Sequence, residues 1–247
     1  MIGRGNQGLR MVGAPMGFVV PVVSVRQLTP TTHAIELEKP ASFRFRPVQF
    51  TFLQLSTEAG EDVRPMSLAT SPTRPRLEYA VRISNSWYKR AFVALRPGDE
   101  VAVFGPLGDF VLRETRPAIL VAGGIGITPL KGMAEYAADR NLPIPMRLAY
   151  SNRTEDEIVY RDELAALAIQ NPRFRVLHTL TGAADRGWQG ATGRIDLNLV
   201  REAGRDLMEP VYYVSGTPGM VVATWRLLRE AGISTDSIEV EAFRGYR

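Results

Sequence analysis

Two short segments of this 247-residue chain combine residue types that could hold a phosphate group. The first is Arg64-Pro65-Met66-Ser67-Leu68-Ala69-Thr70-Ser71. A guanidinium beside small hydroxyl residues at a strand end can bind a pyrophosphate through charge-assisted hydrogen bonds. An ordinary polar strand end is the alternative. The second is Val121-Ala122-Gly123-Gly124-Ile125-Gly126-Ile127-Thr128-Pro129. Glycines between a strand and a helix let a phosphate approach the backbone and the helix N-terminus, and Thr128 suits the N-cap with Pro129 at the first helical position. A tight strand–helix turn would also explain them. The loop departs from the usual dinucleotide fingerprint, because Pro129 stands where a third glycine would be. The next strand ends in Tyr150-Ser151-Asn152-Arg153, with no acid to hold a ribose diol.

Other chemistries drop out. The chain has no cysteine, which excludes disulfides, thiolate metal sites, cysteine-ligated iron–sulfur clusters and a Cys nucleophile. His33 and His178 are the only imidazoles, too few for a three-histidine site, so no metal is expected. His178 reads as a packed strand residue rather than a base. Residues 1–114 carry 14 Lys+Arg and 10 Asp+Glu, against 16 and 16 in residues 115–247, so the first half holds the whole net charge of +4. An excess of that size can steer an acidic partner, but no basic run points to nucleic acid.

The elements that must position these segments change character near residue 115. Before it, Phe18–Gln27, Thr32–Glu38, Gln49–Leu55, Leu77–Ile83 and Glu100–Val103 are short β-like runs broken by turn residues, which predicts an antiparallel barrel. Ser86–Leu95 has helical spacing. After it, strands at Ala118–Ala122, Met146–Tyr150, Arg175–Leu180, Val211–Val214 and Ser237–Phe243 alternate with helices at Pro129–Arg140, Glu157–Ala168, Leu197–Ala203 and Met220–Ala231. This rhythm predicts an α/β open parallel five-stranded sheet. The expected division is a flexible tail over 1–17, a β-barrel over 18–114 and an α/β domain over 115–247. No apolar run approaches the roughly 18 residues of a membrane span, and Met1–Gly17 lacks the apolar centre of a signal peptide. A cytoplasmic protein with no membrane segment is expected.

Taken in order, the motifs resemble those of the ferredoxin–NADP reductase superfamily of flavoenzymes. They run from Arg64–Ser71 through Ser86, Gly98-Asp99, Gly105-Pro106-Leu107-Gly108 and Gly123–Pro129 to Ser215-Gly216-Thr217-Pro218-Gly219-Met220. The resemblance covers about residues 18–247. It implies an FAD-binding barrel followed by an NADP- or NAD-binding domain.

Under that resemblance, Arg64 would hold the FAD pyrophosphate and Pro65 would continue the motif. Met66 sits where the family usually has a Tyr on the flavin ring, Ser67 would lie near flavin N5, and Ala80-Val81-Arg82 match the next flavin-contact strand. Ser86 would cap its helix and bind FAD phosphate. Gly123, Gly124, Gly126, Thr128 and Pro129 would form the nucleotide phosphate loop. Ser215 replaces the usual Cys beside the nicotinamide, with Gly216 and Pro218 next to it. Glu241 would support proton transfer, and Phe243 or Tyr246 would cover the flavin face. Ser67, Ser215 and Glu241 are thus the expected catalytic residues. Ser151, Arg153, Thr181 and Arg186 are candidates for a 2′-phosphate, which leaves NADPH against NADH open.

The implied activity is NAD(P)H oxidation through FAD to a separate acceptor, foremost a ferredoxin- or flavodoxin-like acidic electron carrier. The alternatives are the reductase component of a multicomponent oxygenase, an NAD(P)H:flavin reductase, or a non-catalytic nucleotide-binding regulatory module on the same fold.

Overall fold

Alternation of apolar and polar residues in the first half builds a curled antiparallel sheet in the computed structural model, which describes residues 17–243. Its strands are β1 (Gly17–Thr29), β2 (Thr32–Glu38), β3 (Phe50–Thr57), β4 (Gly60–Ser67), β5 (Arg76–Arg82) and β6 (Glu100–Leu107), in the order β4-β3-β6-β1-β2-β5. Leu53 and Leu55 of β3, Ile35 and Leu37 of β2, and Leu77 and Tyr79 of β5 all turn into one core. Helix α1 (Trp87–Ala94) adds Tyr88 and Phe92 to it.

The chain leaving β4 joins the two sheet edges. The Leu68 N–H donates to the Gln49 carbonyl before β3 (3.3 Å), and the Ala69 N–H donates to the Glu78 carbonyl on β5 (2.8 Å). Segment 64–71 therefore crosses from one edge of the barrel to the other.

The second half is β7 (Ala118–Gly123), α2 (Ile127–Asp139), β8 (Met146–Asn152), α3 (Arg161–Gln170), β9 (Phe174–Leu180), β10 (Ala191–Thr192), α4 (Leu197–Gly204), β11 (Val211–Gly216), α5 (Pro218–Glu230) and β12 (Ile238–Ala242). The strands form one parallel sheet in the order β10-β9-β8-β7-β11-β12. It has six strands where the sequence predicts five. The extra strand, β10, is two residues long, too short for a periodic pattern, and exists by pairing with Thr179 and Leu180.

Central strands β7 and β11 are buried along nearly their whole length, as continuous apolar runs covered on both faces must be. Each fully buried aliphatic side chain there contributes roughly 1.5–3 kcal/mol by leaving water. Residues before β7 are tied to this sheet. The Arg113 N–H donates to Tyr213 Oη (2.8 Å), and its guanidinium donates to Glu239 (2.5 Å). Among the described residues, no helix is long and apolar enough to cross a membrane.

Candidate nucleotide and electron-transfer site

Three expected catalytic residues, from two different sheets, come together. Ser215 of β11 and Glu241 of β12 are register partners in the parallel ladder, so their side chains leave the sheet together. Ser67, at the end of β4, donates through its Oγ to Glu241 Oε1 at 2.9 Å. Ser215 is fully buried. Its Oγ and Glu241 Oε2 are both shut away from solvent, with no hydrogen-bond partner among the described residues. Burial raises the Glu241 carboxyl to about 7, against the opposing pull of the Ser67 hydrogen bond. The carboxyl thus changes charge near neutrality. Phe243 follows directly, its N–H held by the Gly216 carbonyl at 2.8 Å. Tyr246, the other candidate for the flavin face, and the expected tail up to residue 16 lie outside the described residues.

The glycine loop divides its work. Gly124 has φ +52 and open space where a Cβ would stand, so this residue leaves room for a ligand. Gly126 does something else: a Cβ there would lie 2.3 Å from the Ser215 carbonyl oxygen. Its role is close packing of the loop against β11. Tyr150, fully buried on β8, donates to the Gly124 carbonyl at 3.0 Å and holds the loop from below. Thr128 is not the N-cap. Helix α2 begins at Ile127, two residues before the expected Pro129, with Gly126 at its N-cap, because a short 3₁₀ turn over Gly124–Gly126 runs into it. The Thr128 hydroxyl instead donates back to the Ile125 carbonyl at 3.2 Å. Pro129 falls in the first helical turn, where its missing N–H costs nothing.

On the barrel side, Arg64 and Asp62 share one face of β4. The Arg64 guanidinium donates to Asp62 Oδ2 through Nη2 (2.8 Å) and Nε (3.1 Å). Met66 packs partly against the barrel core. Ser86 caps α1 as expected, its Oγ accepting from the Lys89 N–H at 3.3 Å. Ala80 and Val81 are buried in β5. Arg82 reaches the other domain, where its Nη2 donates to both oxygens of Glu157 at 2.9 Å.

At the far end of the second sheet, the tips of β8 and β9 are joined. The Thr181 N–H donates to the Asn152 carbonyl (2.9 Å) and the Gly182 N–H to the Arg153 carbonyl (2.8 Å). Ser151, Arg153 and Thr181 are thus neighbours, whereas Arg186 stands exposed in the loop before β10. His178 lies on β9 between Tyr150 and Trp188. Burial, with help from Arg161, lowers it to about 4 despite Glu155, so it is neutral at pH 7.

Several functional neighbours were not singled out in the sequence. The Asp62-x-Arg64 alternation on a strand was a readable signal for one face. Tyr150 and Glu157 gave none, since their partners are distant in sequence.

Residues 120–225 match the oxidoreductase NAD-binding domain family. Over 239 residues the chain is 30% identical to the ferredoxin–NADP reductase B of Sorangium cellulosum (strain So ce56), covering 92% of this chain and 97% of that one. The chain belongs to the ferredoxin–NADP reductase family. It is therefore an oxidoreductase of that superfamily, with the barrel and parallel-sheet architecture described above. A second relative in the family is the reductase component, ferredoxin–NAD(P)(+), of the naphthalene 1,2-dioxygenase system of Pseudomonas putida, 28% identical over 94% of this chain and 68% of that one. The fold is shared with a crystal structure of a ferredoxin NADP+ reductase from Neisseria gonorrhoeae with bound FAD and NADP. That structure has a TM-score of 0.81 at 22% identity, covering 92% of this chain and 98% of that one.

Proposed function

We propose that this reductase carries electrons from NAD(P)H through FAD to a separate ferredoxin- or flavodoxin-like acidic carrier. The observation that carries this reading is the meeting of Ser67, from the barrel, with Glu241 and Ser215, from the parallel sheet. The residues fit the two cofactors. Two buried oxygens, Ser215 Oγ and Glu241 Oε2, await partners, and the open space at Gly124 leaves the loop backbone accessible. Arg64, Ser86 and the β5 backbone at 80–82 would hold FAD in the unit over 18–114. The glycine loop, Pro218 and the tips of β8 and β9 would hold the nucleotide in the unit over 115–247.

FAD, when bound, supplies the conversion of a two-electron donor into one-electron steps. The chain's residues orient and protonate. Ser67 presents its hydroxyl at the junction of the two sheets, where flavin N5 would lie. Protonated, Glu241 would donate to Ser67 Oγ and free the hydroxyl's own proton to turn toward the flavin side; ionised, it accepts from that hydroxyl, as seen here. The buried Ser215 hydroxyl fixes the nicotinamide side. A role as the reductase component of an oxygenase system is the second reading, favoured by the Pseudomonas putida relative.

Purified protein tests the proposal. It should be yellow and should bleach anaerobically with NADPH or NADH, after which a panel of ferredoxin, flavodoxin, oxygenase component and free flavin assigns the acceptor. A colourless protein that binds nucleotide without turnover would replace it with a regulatory module.

A further inference from the structure

The chain has 3 lysines against 27 arginines, and one of those lysines is buried at the junction of the two domains. Lys131 of α2 is 3% exposed. Its Nζ donates to Glu135 Oε1 on the same helix (2.7 Å), to Glu78 Oε2 on β5 (2.9 Å) and to the Ala69 carbonyl (3.0 Å). It also lies 4.7 Å from the ring centre of Tyr160. All three of the ammonium's donors are used, two of them across the domain junction. Glu135 then spends its other oxygen on the barrel, accepting from the Ser71 N–H at 2.9 Å. Between these contacts, Gly132 lets the helix touch the segment directly: a Cβ there would lie 3.0 Å from the Thr70 carbonyl oxygen.

These contacts share a target. Ala69, Thr70 and Ser71 close segment 64–71, which carries Ser67 at its centre, and α2 is the helix that opens from the glycine loop. We infer that Lys131 is a positioning residue that latches the flavin segment of the barrel to the nucleotide helix and so sets the distance between the two cofactor sites. This inference rests on the proposed function for its consequence, but the latch itself is a property of the protein alone. Because geometry near the reacting atoms is steep in its effect, a displacement of about 1 Å at Ser67 slows transfer by roughly 10- to 100-fold.

Removing Lys131 alone would strand Glu78 and Glu135 in the junction, and such a variant could fail to fold. The test therefore also neutralises the more buried of the two carboxylates, as Lys131→Met/Glu78→Gln, with Lys131→Arg as the conservative variant; an adjoining cleft of about 530 Å³ leaves room for the longer side chain. In the apoprotein, hydrogen exchange at the Ser71 amide should quicken at least about tenfold in the double variant, because Glu135 loses the cation that holds it in place. In the FAD-loaded protein, anaerobic reduction by the preferred nucleotide should slow by roughly tenfold or more with FAD occupancy kept. Lys131→Arg should restore both. Wild-type exchange at Ser71 in the double variant overturns the latch, whatever the melting temperature does. Faster exchange with an unchanged reduction rate overturns its role in positioning. A wild-type protein that neither nucleotide bleaches would sink the proposed function instead, and the exchange measurement would still decide the latch.

Discussion

Two groups of carboxylates are buried where the domains meet, and they are treated in opposite ways. Glu78 and Glu135 share a buried ammonium, and Glu78 also takes Arg26 at 2.7 Å. Burial alone would push the Lys131 ammonium down, but the two carboxylates outweigh it and hold the group above the ordinary lysine range. Among the described residues, Glu241 has no ion-pair partner. One serine hydroxyl serves one oxygen, the other oxygen has nothing, and burial brings its pKa up to about 7. Residue type and burial are similar in the two places. The number of partners separates carboxylates built into an ion-pair network from one whose pKa burial is left to raise.

The sharpest way to break this contrast is Ser67→Ala. If the hydroxyl serves the reacting centre, anaerobic flavin reduction should slow by about 10²-fold with a smaller change in nucleotide binding. An unchanged rate in stopped-flow would place flavin N5 elsewhere. Next in size, Arg64→Ala should weaken FAD binding roughly tenfold or more, since a charge-assisted contact contributes on the order of 1.5–3 kcal/mol. Flavin dissociation kinetics read this directly, and wild-type values would dissociate Arg64 from the pyrophosphate.

Glu241→Gln tests whether the carboxyl with the raised pKa carries a proton. Turnover with a one-electron acceptor should depend on a group titrating near 7 in the wild type, and that limb should vanish in the variant.

Stability gives a smaller, independent reading. The Glu241 carboxyl binds its proton more tightly folded than unfolded, so its contribution is present at low pH and is lost as pH rises from 4.5 to about 7. His178 runs the other way: its pKa falls from 6.5 to about 4 on folding, so stability is lost as pH drops through that window. Between pH 4.5 and 6.5 the two oppose each other. Denaturant midpoints should therefore be flat across that range in the wild type and rise with pH in Glu241→Gln. The smallest effect belongs to Arg82→Ala. Its pair with Glu157 is partly solvated, with the Arg82 side chain 46% exposed, and should contribute less than about 1 kcal/mol.

How much of this was legible in the sequence depended on the length scale of the signal. The barrel and the parallel sheet were readable because alternation in β2 and β3 and continuous apolar runs in β7 and β11 extend over four or more residues. The two-residue β10 carries no period at all, and the start of α2 was obscured by a 3₁₀ turn that uses the same glycines. Ser67, Ser215 and Glu241 were found through the order of the motifs, not through any local pattern, since Ser67 and Glu241 are 174 residues apart. Lys131 was hidden by its neighbours. It sits in an apolar stretch with Leu130 and Met133, and only its i,i+4 relation to Glu135 marked it. Its partners Glu78 and Ala69 come from the other domain, which no helical periodicity reports.

The absence of a side chain at Gly126 has an engineering consequence. With the loop backbone pressed onto the carbonyl of Ser215, the proposed phosphate end and the proposed nicotinamide end of the site form a single rigid casting. Retuning one by substitution would shift the other. Ser151 pairs with Gly123 in the ladder, so the joined tips of β8 and β9 are anchored to that casting at one end, while Arg153 and Thr181 lie beyond it. If those two residues contact the 2′-phosphate as proposed, a designer seeking to change the choice between NADPH and NADH would work there rather than at Gly126.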